Sequence, residues 1–253
     1  MKNTFDLTGK VAVITGASKG IGEAIARIYA ANGAKVVVSS RKQADLDELA
    51  KEIRAEGGEC VGIAAHTGDM DQLQNLVEKT IEIYGGIDIL VNNAATNPAY
   101  GPSLECSESA FDKIMQINVK APFELAKMAY PSMKSRSGGS VINISSIAGH
   151  TPDPGLGMYS VSKASLNMLT KVLAKEWGVD GIRVNAIAPG LIKTKFSQAL
   201  WDNDKTLNHF TKNLPIARMG TVDEISPMAL YLASAASGYT TGGIFAIDGG
   251  TII

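Results

Sequence analysis

Seven short runs of aliphatic and β-branched residues punctuate this sequence, and each is continuous instead of alternating with polar residues. They are Val11–Thr15, Lys35–Ser39, Cys60–Ala64, Ile87–Asn92, Val141–Ser145, Arg183–Ala188 and Ile244–Ile247. An alternating strand has one wet face. A continuous apolar strand is covered on both faces, which is the condition of a parallel sheet with helices above and below it.

The segments between the runs have helical periodicity. Ile21, Ala24, Ile25, Ile28 and Tyr29 fall at i, i+3, i+4, i+7 and i+8, and Leu73, Leu76, Val77, Thr80, Ile81 and Tyr84 follow a similar rhythm. Strand–helix alternation with right-handed crossovers predicts an α/β, doubly wound sheet. No linker, repeat or low-complexity tract interrupts it, so residues 1–253 read as one domain. One stretch breaks the rhythm. From Pro189 to Asp223 no strand is expected, yet Leu191, Phe196, Leu200, Trp201 and Phe210 are apolar. A long strand-free insertion past a strand end, here about 190–222, predicts a wall or lid over a substrate.

Composition excludes several functions. With 24 basic and 25 acidic residues the net charge is −1, which gives no bulk attraction to nucleic acid or an anionic membrane. No apolar run reaches the ~18–20 residues of a membrane span. Cys60 and Cys106 are no disulfide framework and read as two buried thiols. His66, His150 and His209 have no metal-ligand spacing with them, so no metal is expected. The first residues lack the apolar core of a secretory signal and the last match no receptor-read address, which predicts a cytoplasmic protein.

Two constellations carry chemistry. The first run leads into Thr15-Gly16-Ala17-Ser18-Lys19-Gly20-Ile21-Gly22, where the first helix begins. A strand, a glycine-rich turn and a helix N-terminus make an anion site, since glycines let backbone N–H groups approach a pyrophosphate. The second is Tyr159 and Lys163, at i and i+4 in a helical stretch whose apolar face is Leu166, Leu169, Leu173 and Trp177. That spacing places phenol and ammonium on one side of a helix. A neighbouring Lys⁺ is expected to lower the phenol pKa toward the range useful for proton transfer. Ser145 and Ser146 end the preceding strand, at the carboxyl edge where open α/β sheets bind ligands.

These segments occur in a fixed order: TGASKGIG (Thr15–Gly22), NNAA (Asn92–Ala95), Asn118, Ser146, YSVSK (Tyr159–Lys163) and PGLIKT (Pro189–Thr194). Together they resemble the short-chain dehydrogenase/reductase superfamily, from about Leu7 to Gly250. The resemblance implies a Rossmann fold with a seven-stranded parallel sheet, and an enzyme that moves a hydride between NAD(P) and a carbonyl or alcohol. It implies Tyr159 as the acid, Lys163 as the residue that lowers its pKa and holds the nicotinamide ribose, Ser146 as the residue that positions the carbonyl oxygen, and Asn118 as the holder of a relay water. The family places its serine thirteen positions before the tyrosine, which selects Ser146 over Ser145. Gly16, Ser18, Lys19, Gly20, Ile21 and Gly22 would hold the pyrophosphate. Asn93, Ala94 and Ala95 would line the cofactor, and Pro189, Gly190, Ile192 and Thr194 would embrace the nicotinamide. Leu191, Phe196, Leu200 and Trp201 would join Ser146 and Tyr159 around the substrate. A homotetramer is implied, built through the two long helices beside the site and the last strand.

Locally the wording is similar to the NADP-dependent carbonyl and retinal reductases: SRKQ (Ser40–Gln43), NP after Thr96, NVKAP (Asn118–Pro122) and APGLIKTKFS…LW (Ala188–Trp201). The second run leads into Ser40 and Arg41 with no carboxylate, where NAD-specific folds place an acid. Arg41, Ser40 and Lys19 therefore predict NADP(H) as cofactor. The sequence departs from the superfamily at Ala95, where glycine is commoner, and at His66-Thr67, which would bind the cofactor's adenine in place of the usual Asp-aliphatic pair. Other readings that keep the fold are a 3-oxoacyl-thioester reductase, a sugar or steroid dehydrogenase, and a catalytically silent nucleotide sensor.

Overall fold

The computed structural model describes residues 3–98, 100–202, 211–212 and 214–253. Seven parallel strands form one sheet in the order β3-β2-β1-β4-β5-β6-β7. They are β1 (Val11–Thr15), β2 (Lys35–Ser39), β3 (Glu59–Gly62), β4 (Ile89–Asn92), β5 (Gly139–Ile144), β6 (Ile182–Pro189) and β7 (Ile244–Ile247). The doubly wound sheet expected from the continuous apolar runs is the sheet observed. Register places the strand ends level: Thr15 opposite Ser39, Asn92 opposite Asn143, Ile144 opposite Ile187.

The helices are α1 (Ile21–Ala31), α2 (Gln43–Ala55), α3 (Met70–Tyr84), α4 (Glu108–Met115), α5 (Ala121–Ser135), α6 (Gly157–Trp177), the single turn α7 (Gln198–Trp201) and α8 (Val222–Ala233). Several starts are written in the sequence. Asp69 accepts from the N–H groups of Asp71 and Gln72, Ser107 accepts from Ala110 N, and Thr221 forms a reciprocal capping box with Glu224. Successive strand residues feed opposite cores. Ile14 and Val36 join Ile25, Tyr29, Ile225 and Ala229 from α1 and α8. Val13 and Val37 join Leu73, Leu76, Leu125 and Leu173 from α3, α5 and α6.

Three expectations are corrected in detail. β7 is partly exposed instead of covered on both faces, because it is the last strand and has one neighbour. Ile81 lies on the outer side of α3 at 39% exposure, and Leu73, Leu76, Val77 and Thr80 carry its buried face. Cys60 is buried, but Cys106 is half-buried, since it follows a short surface turn before α4. Between β6 and α8 the ladder, among the described residues, is reduced to one parallel bridge, Ile192 to Gly220. His209 and Phe210 lie outside the described residues.

Candidate active site

Strand order reverses direction between β1 and β4, so the loops leaving their carboxyl ends diverge and open a crevice. The glycine turn forms one wall. Gly16 and Gly20 have φ of 63° and 67°, a left-handed conformation that favours glycine. Gly20 is the N-cap of α1 and no side chain caps the helix, so its first N–H groups face the crevice. Ala17 N donates to Ser39 O at 3.1 Å, which draws the turn against the end of β2 and brings Ser40 and Arg41 beside it. Arg41 and Lys19 are exposed and make no ion pair with the described residues. His66 and Thr67 follow β3 on the same edge, and Ala65 N bonds Ser40 O at 2.9 Å. His66 Nδ1 accepts from Gly68 N at 3.0 Å.

The segment after β4 is knitted to the glycine turn. Asn93 Nδ2 donates to Thr15 O at 2.9 Å and Gly16 O at 3.0 Å, while the Thr15 hydroxyl accepts from the N–H groups of Asn93 and Ala94, both at 3.1 Å. Asn93 thus braces the turn with its side chain. The opposite wall is the strand-free stretch after β6. Thr194 Cγ2 lies 3.5 Å from where a β-carbon on Gly20 would stand. Gly190 N donates to Ile247 O at 2.9 Å, which fixes the Pro189–Gly190 corner. A cradle of N–H groups too tight for side chains, at a helix start and with two free cations beside it, fits a dinucleotide phosphate group.

Tyr159, Lys163, Ser146 and Asn118 come together beside this crevice. α6 presents Tyr159 and Lys163 one turn apart, with Lys163 Nζ 5.6 Å from the phenol ring centroid. Ser146, the second residue beyond β5, lies near enough to the Tyr159 phenol to lower its pKa, and its Oγ accepts from Ala148 N at 3.1 Å. Ser145 points elsewhere: its hydroxyl donates to Asn167 Oδ1 at 2.6 Å. Asn118 sits in a π-turn, Gln116–Lys120, a local widening often found at functional sites. Its carboxamide is largely spent. Oδ1 accepts from Thr96 N at 2.9 Å, and Nδ2 donates to Thr96 O at 2.9 Å and Ser162 Oγ at 3.1 Å. Ser162 in turn donates to Tyr159 O at 2.7 Å.

The electrostatics differ from the expectation drawn from Tyr-x-x-x-Lys. Burial pushes the Tyr159 phenol up to about 12, and the opposing influence is the nearby Ser146 hydroxyl. Burial also pushes Lys163 down to about 7, and its Nζ donates to Ile144 O at 2.8 Å. The ammonium is itself disfavoured by desolvation, so it is a weaker source of positive potential than its spacing suggests. Phe196 approaches Tyr159, with ring centroids 6.2 Å apart. Trp201 is committed within its own loop, donating through Nε1 to Thr194 O at 3.1 Å and Ser197 Oγ at 3.2 Å. Leu191 and Leu200 are half-buried in the same stretch. Sequence reasoning gave no role to Thr15, Thr96, Ser162 or Asn167. For Thr15, Ser162 and Asn167 the signal was polarity at positions where strand or helix periodicity demands burial; Thr96, in the loop after β4, carried no such signal.

Residues 16–251 match the family described as enoyl-(acyl carrier protein) reductase. The chain is 44% identical over 244 residues to dehydrogenase/reductase SDR family member 4 of Oryctolagus cuniculus, covering 96% of this chain and 94% of that one. The chain belongs to the short-chain dehydrogenase/reductase superfamily. Among solved members of the superfamily, a gluconate 5-dehydrogenase from Burkholderia cenocepacia, in complex with NADP and tartrate, aligns at TM-score 0.94 with 32% identity, covering 98% of this chain and 97% of that one. A 7α-hydroxysteroid dehydrogenase complexed with NADH and 7-oxo glycochenodeoxycholic acid aligns at 0.95 with 32% identity, covering 99% and 98%. This short-chain dehydrogenase/reductase is an NAD(P)-dependent oxidoreductase. Among the described residues, no helix is long and apolar enough to cross a membrane and no cluster of His, Cys, Asp and Glu could hold a metal.

Proposed function

We propose that this enzyme reduces a ketone or aldehyde with NADP(H), and that Tyr159 gives the proton. The observation that carries this reading is the Tyr159 phenol, buried at the crevice edge with Ser146 and Lys163 beside it. A phenol held near 12 keeps its proton throughout the neutral range, so the proton is there to give, but transfer needs neighbouring positive charge to bring the phenol down toward the operating pH. Gly16, Ser18, Lys19, Gly20, Ile21 and Gly22 hold the pyrophosphate, and Ser40 and Arg41 receive a 2′-phosphate. When bound, NADPH supplies the hydride to the carbonyl carbon.

The chain's own residues manage the oxygen. Ser146 Oγ orients it toward Tyr159, whose O–H bond breaks as the new O–H forms. The phenolate left behind lies near Lys163 Nζ, whose remaining N–H groups and charge stabilise it. Asn118 holds the Thr96 backbone and, through Ser162, the first turn around Tyr159. With its side chain so occupied, Asn118 offers a relay water its backbone carbonyl, in the widened π-turn. Phe196, beside Tyr159 and on the same strand-free stretch as Leu191, Leu200 and Trp201, gives the substrate an apolar wall.

A homotetramer is the assembly we infer. Phe111, Val161, Met168 and Val172 are large apolar residues exposed on α4 and α6, the helices that also contribute Met115 and Leu169 to a groove whose rim carries Asp112, Lys113, Gln116 and Lys120. A patch of this kind on a soluble chain calls for a partner. The deciding experiment for the activity is consumption of NADPH, and separately of NADH, followed by near-ultraviolet absorbance against a panel of aldehydes and ketones. Carbonyl-dependent oxidation of NADPH is expected; none with any carbonyl would reject the reading.

A further inference from the structure

The pair Tyr159–Lys163 continues one step further along α6. Asn167 stands four residues after Lys163, so Tyr159, Lys163 and Asn167 lie on one ridge of the helix. All three are fastened to the segment that leaves β5. Tyr159 meets the Ser146 hydroxyl, and Lys163 Nζ donates to Ile144 O at 2.8 Å. Asn167 makes two bonds: Oδ1 accepts the Ser145 hydroxyl at 2.6 Å, and Nδ2 donates to Gly149 O at 3.3 Å. Asn167 therefore grips the segment on both sides of Ser146. The fit is close, since a β-carbon on Gly149 would lie 2.8 Å from Asn167 Nδ2 and 2.8 Å from the carbonyl carbon of Lys163.

Asn167 is 7% exposed and Ser145 4%. A buried carboxamide costs free energy unless both of its ends are bonded, and an apolar residue would fill this helix face without that cost. The geometry points to Asn167 as a positioning residue: with Ser145 it clamps the Ser146–Gly149 turn onto α6 and so fixes the Ser146 hydroxyl against the Tyr159 phenol. The turn's internal bonds, Ala148 N to Ser146 Oγ at 3.1 Å and Gly149 N to Ser146 O at 3.0 Å, then carry that constraint to the hydroxyl. The clamp touches neither the glycine turn nor the Thr194 loop, so it acts on proton transfer and not on cofactor affinity.

The catalytic half of this inference rests on Tyr159 being the proton donor; the structural half does not. Asn167→Leu keeps the branching at Cγ, replaces the carboxamide with two somewhat larger methyl groups, and removes both bonds. In the ligand-free protein it should accelerate hydrogen exchange at the amides of Ala148 and Gly149. In the enzyme it should lower kcat for carbonyl reduction by about 10- to 100-fold, the scale of small misplacements of a catalytic group, with KM for NADPH within about twofold. Ser145→Ala should shift both readouts in the same direction by less, and Ser145→Thr, which restores the hydroxyl, should bring them back. Unchanged exchange in both Asn167→Leu and Ser145→Ala overturns the clamp. Faster exchange with unchanged kcat overturns its role in proton transfer. If the parent turns over no carbonyl, the function proposed above fails, and exchange alone decides the clamp. If Asn167→Leu does not fold, the Ser145 pair decides it.

Discussion

A β-carbon placed on Gly22 would stand 2.5 Å from Nδ2 of Asn93. The first turn of α1 and the segment after β4 therefore interlock at a point where only a hydrogen fits. Gly16 O, at 2.7 Å from the same position, and Ala17 Cα, at 2.9 Å, close the other sides. Gly22→Ala should destabilise the fold by at least about 1–3 kcal/mol, the usual cost of overpacking. It should also break the Asn93 bonds to Thr15 O and Gly16 O, loosening the phosphate turn. Denaturant unfolding and NADPH titration check both effects. Parent-like stability would mean that both the Asn93 amide and the backbone of the Gly16–Ala17 turn give way, and would sink the interlock.

Removing the phenolic oxygen isolates its chemistry. Tyr159→Phe keeps the ring, its contact with Phe196 and the buried volume. Cofactor affinity should stay within about twofold, while turnover of a carbonyl falls by about 10²–10⁴. A kcat close to that of the parent, on a substrate the parent reduces, would take Tyr159 out of the reaction.

The sheet was legible because its signal is local: continuous apolar runs such as Val36–Val38 announce burial on both faces. The glycine turn and the Tyr159–Lys163 spacing were legible for the same reason, since each lies within one element and its neighbour. The braces were not. Asn93 with Gly16, Asn118 with Thr96 and Asn167 with Gly149 join residues far apart in sequence, and their geometry exists only once β4, β5 and α6 are side by side. The electrostatics failed for a related reason. Spacing shows that Lys163 is near Tyr159, but the burial that pushes the phenol up and the lysine down is a property of the folded surroundings.

Cofactor preference should follow the end of β2. Ser40 can donate to a 2′-phosphate and the exposed Arg41 offers it a planar fork. One charge-assisted hydrogen bond contributes roughly 1.5–3 kcal/mol, or about 10- to 150-fold in affinity. The parent should favour NADPH over NADH in kcat/KM by that order, and Ser40→Asp with Arg41→Ala should reverse the order. Equal values for the two cofactors in the parent would remove Ser40 and Arg41 from recognition.

Phe196 and Trp201 share a loop but should respond differently. Phe196 faces the Tyr159 ring and is 58% exposed, so Phe196→Ala should change KM and substrate preference with little change in Tm. Trp201 donates to Thr194 O and Ser197 Oγ, and Lys193 Nζ lies 5.6 Å from its ring. Trp201→Phe, which deletes the N–H, should therefore weaken NADPH binding through Thr194 more than it alters substrate choice. The reverse pattern of KM values would exchange their roles.

Lys163 carries the clearest dependence of stability on pH. Unfolded, it holds its proton up to about 10.5; folded, burial brings it down to about 7. Between those values the unfolded chain binds more protons, so this lysine's contribution to stability rises with pH across that window. Below about 7 the destabilisation is at its fullest, because folding must then bury the charge. Lys163→Met fills the space without a charge and loses the bond to Ile144 O, a loss that does not vary with pH. The variant should therefore gain stability relative to the parent near pH 7, and that gain should shrink as the pH approaches 10. Denaturant unfolding of the two proteins at both pH values gives the difference directly. A difference that stays constant would mean that Lys163 is not depressed by burial, and that its ammonium persists in the folded site at neutral pH.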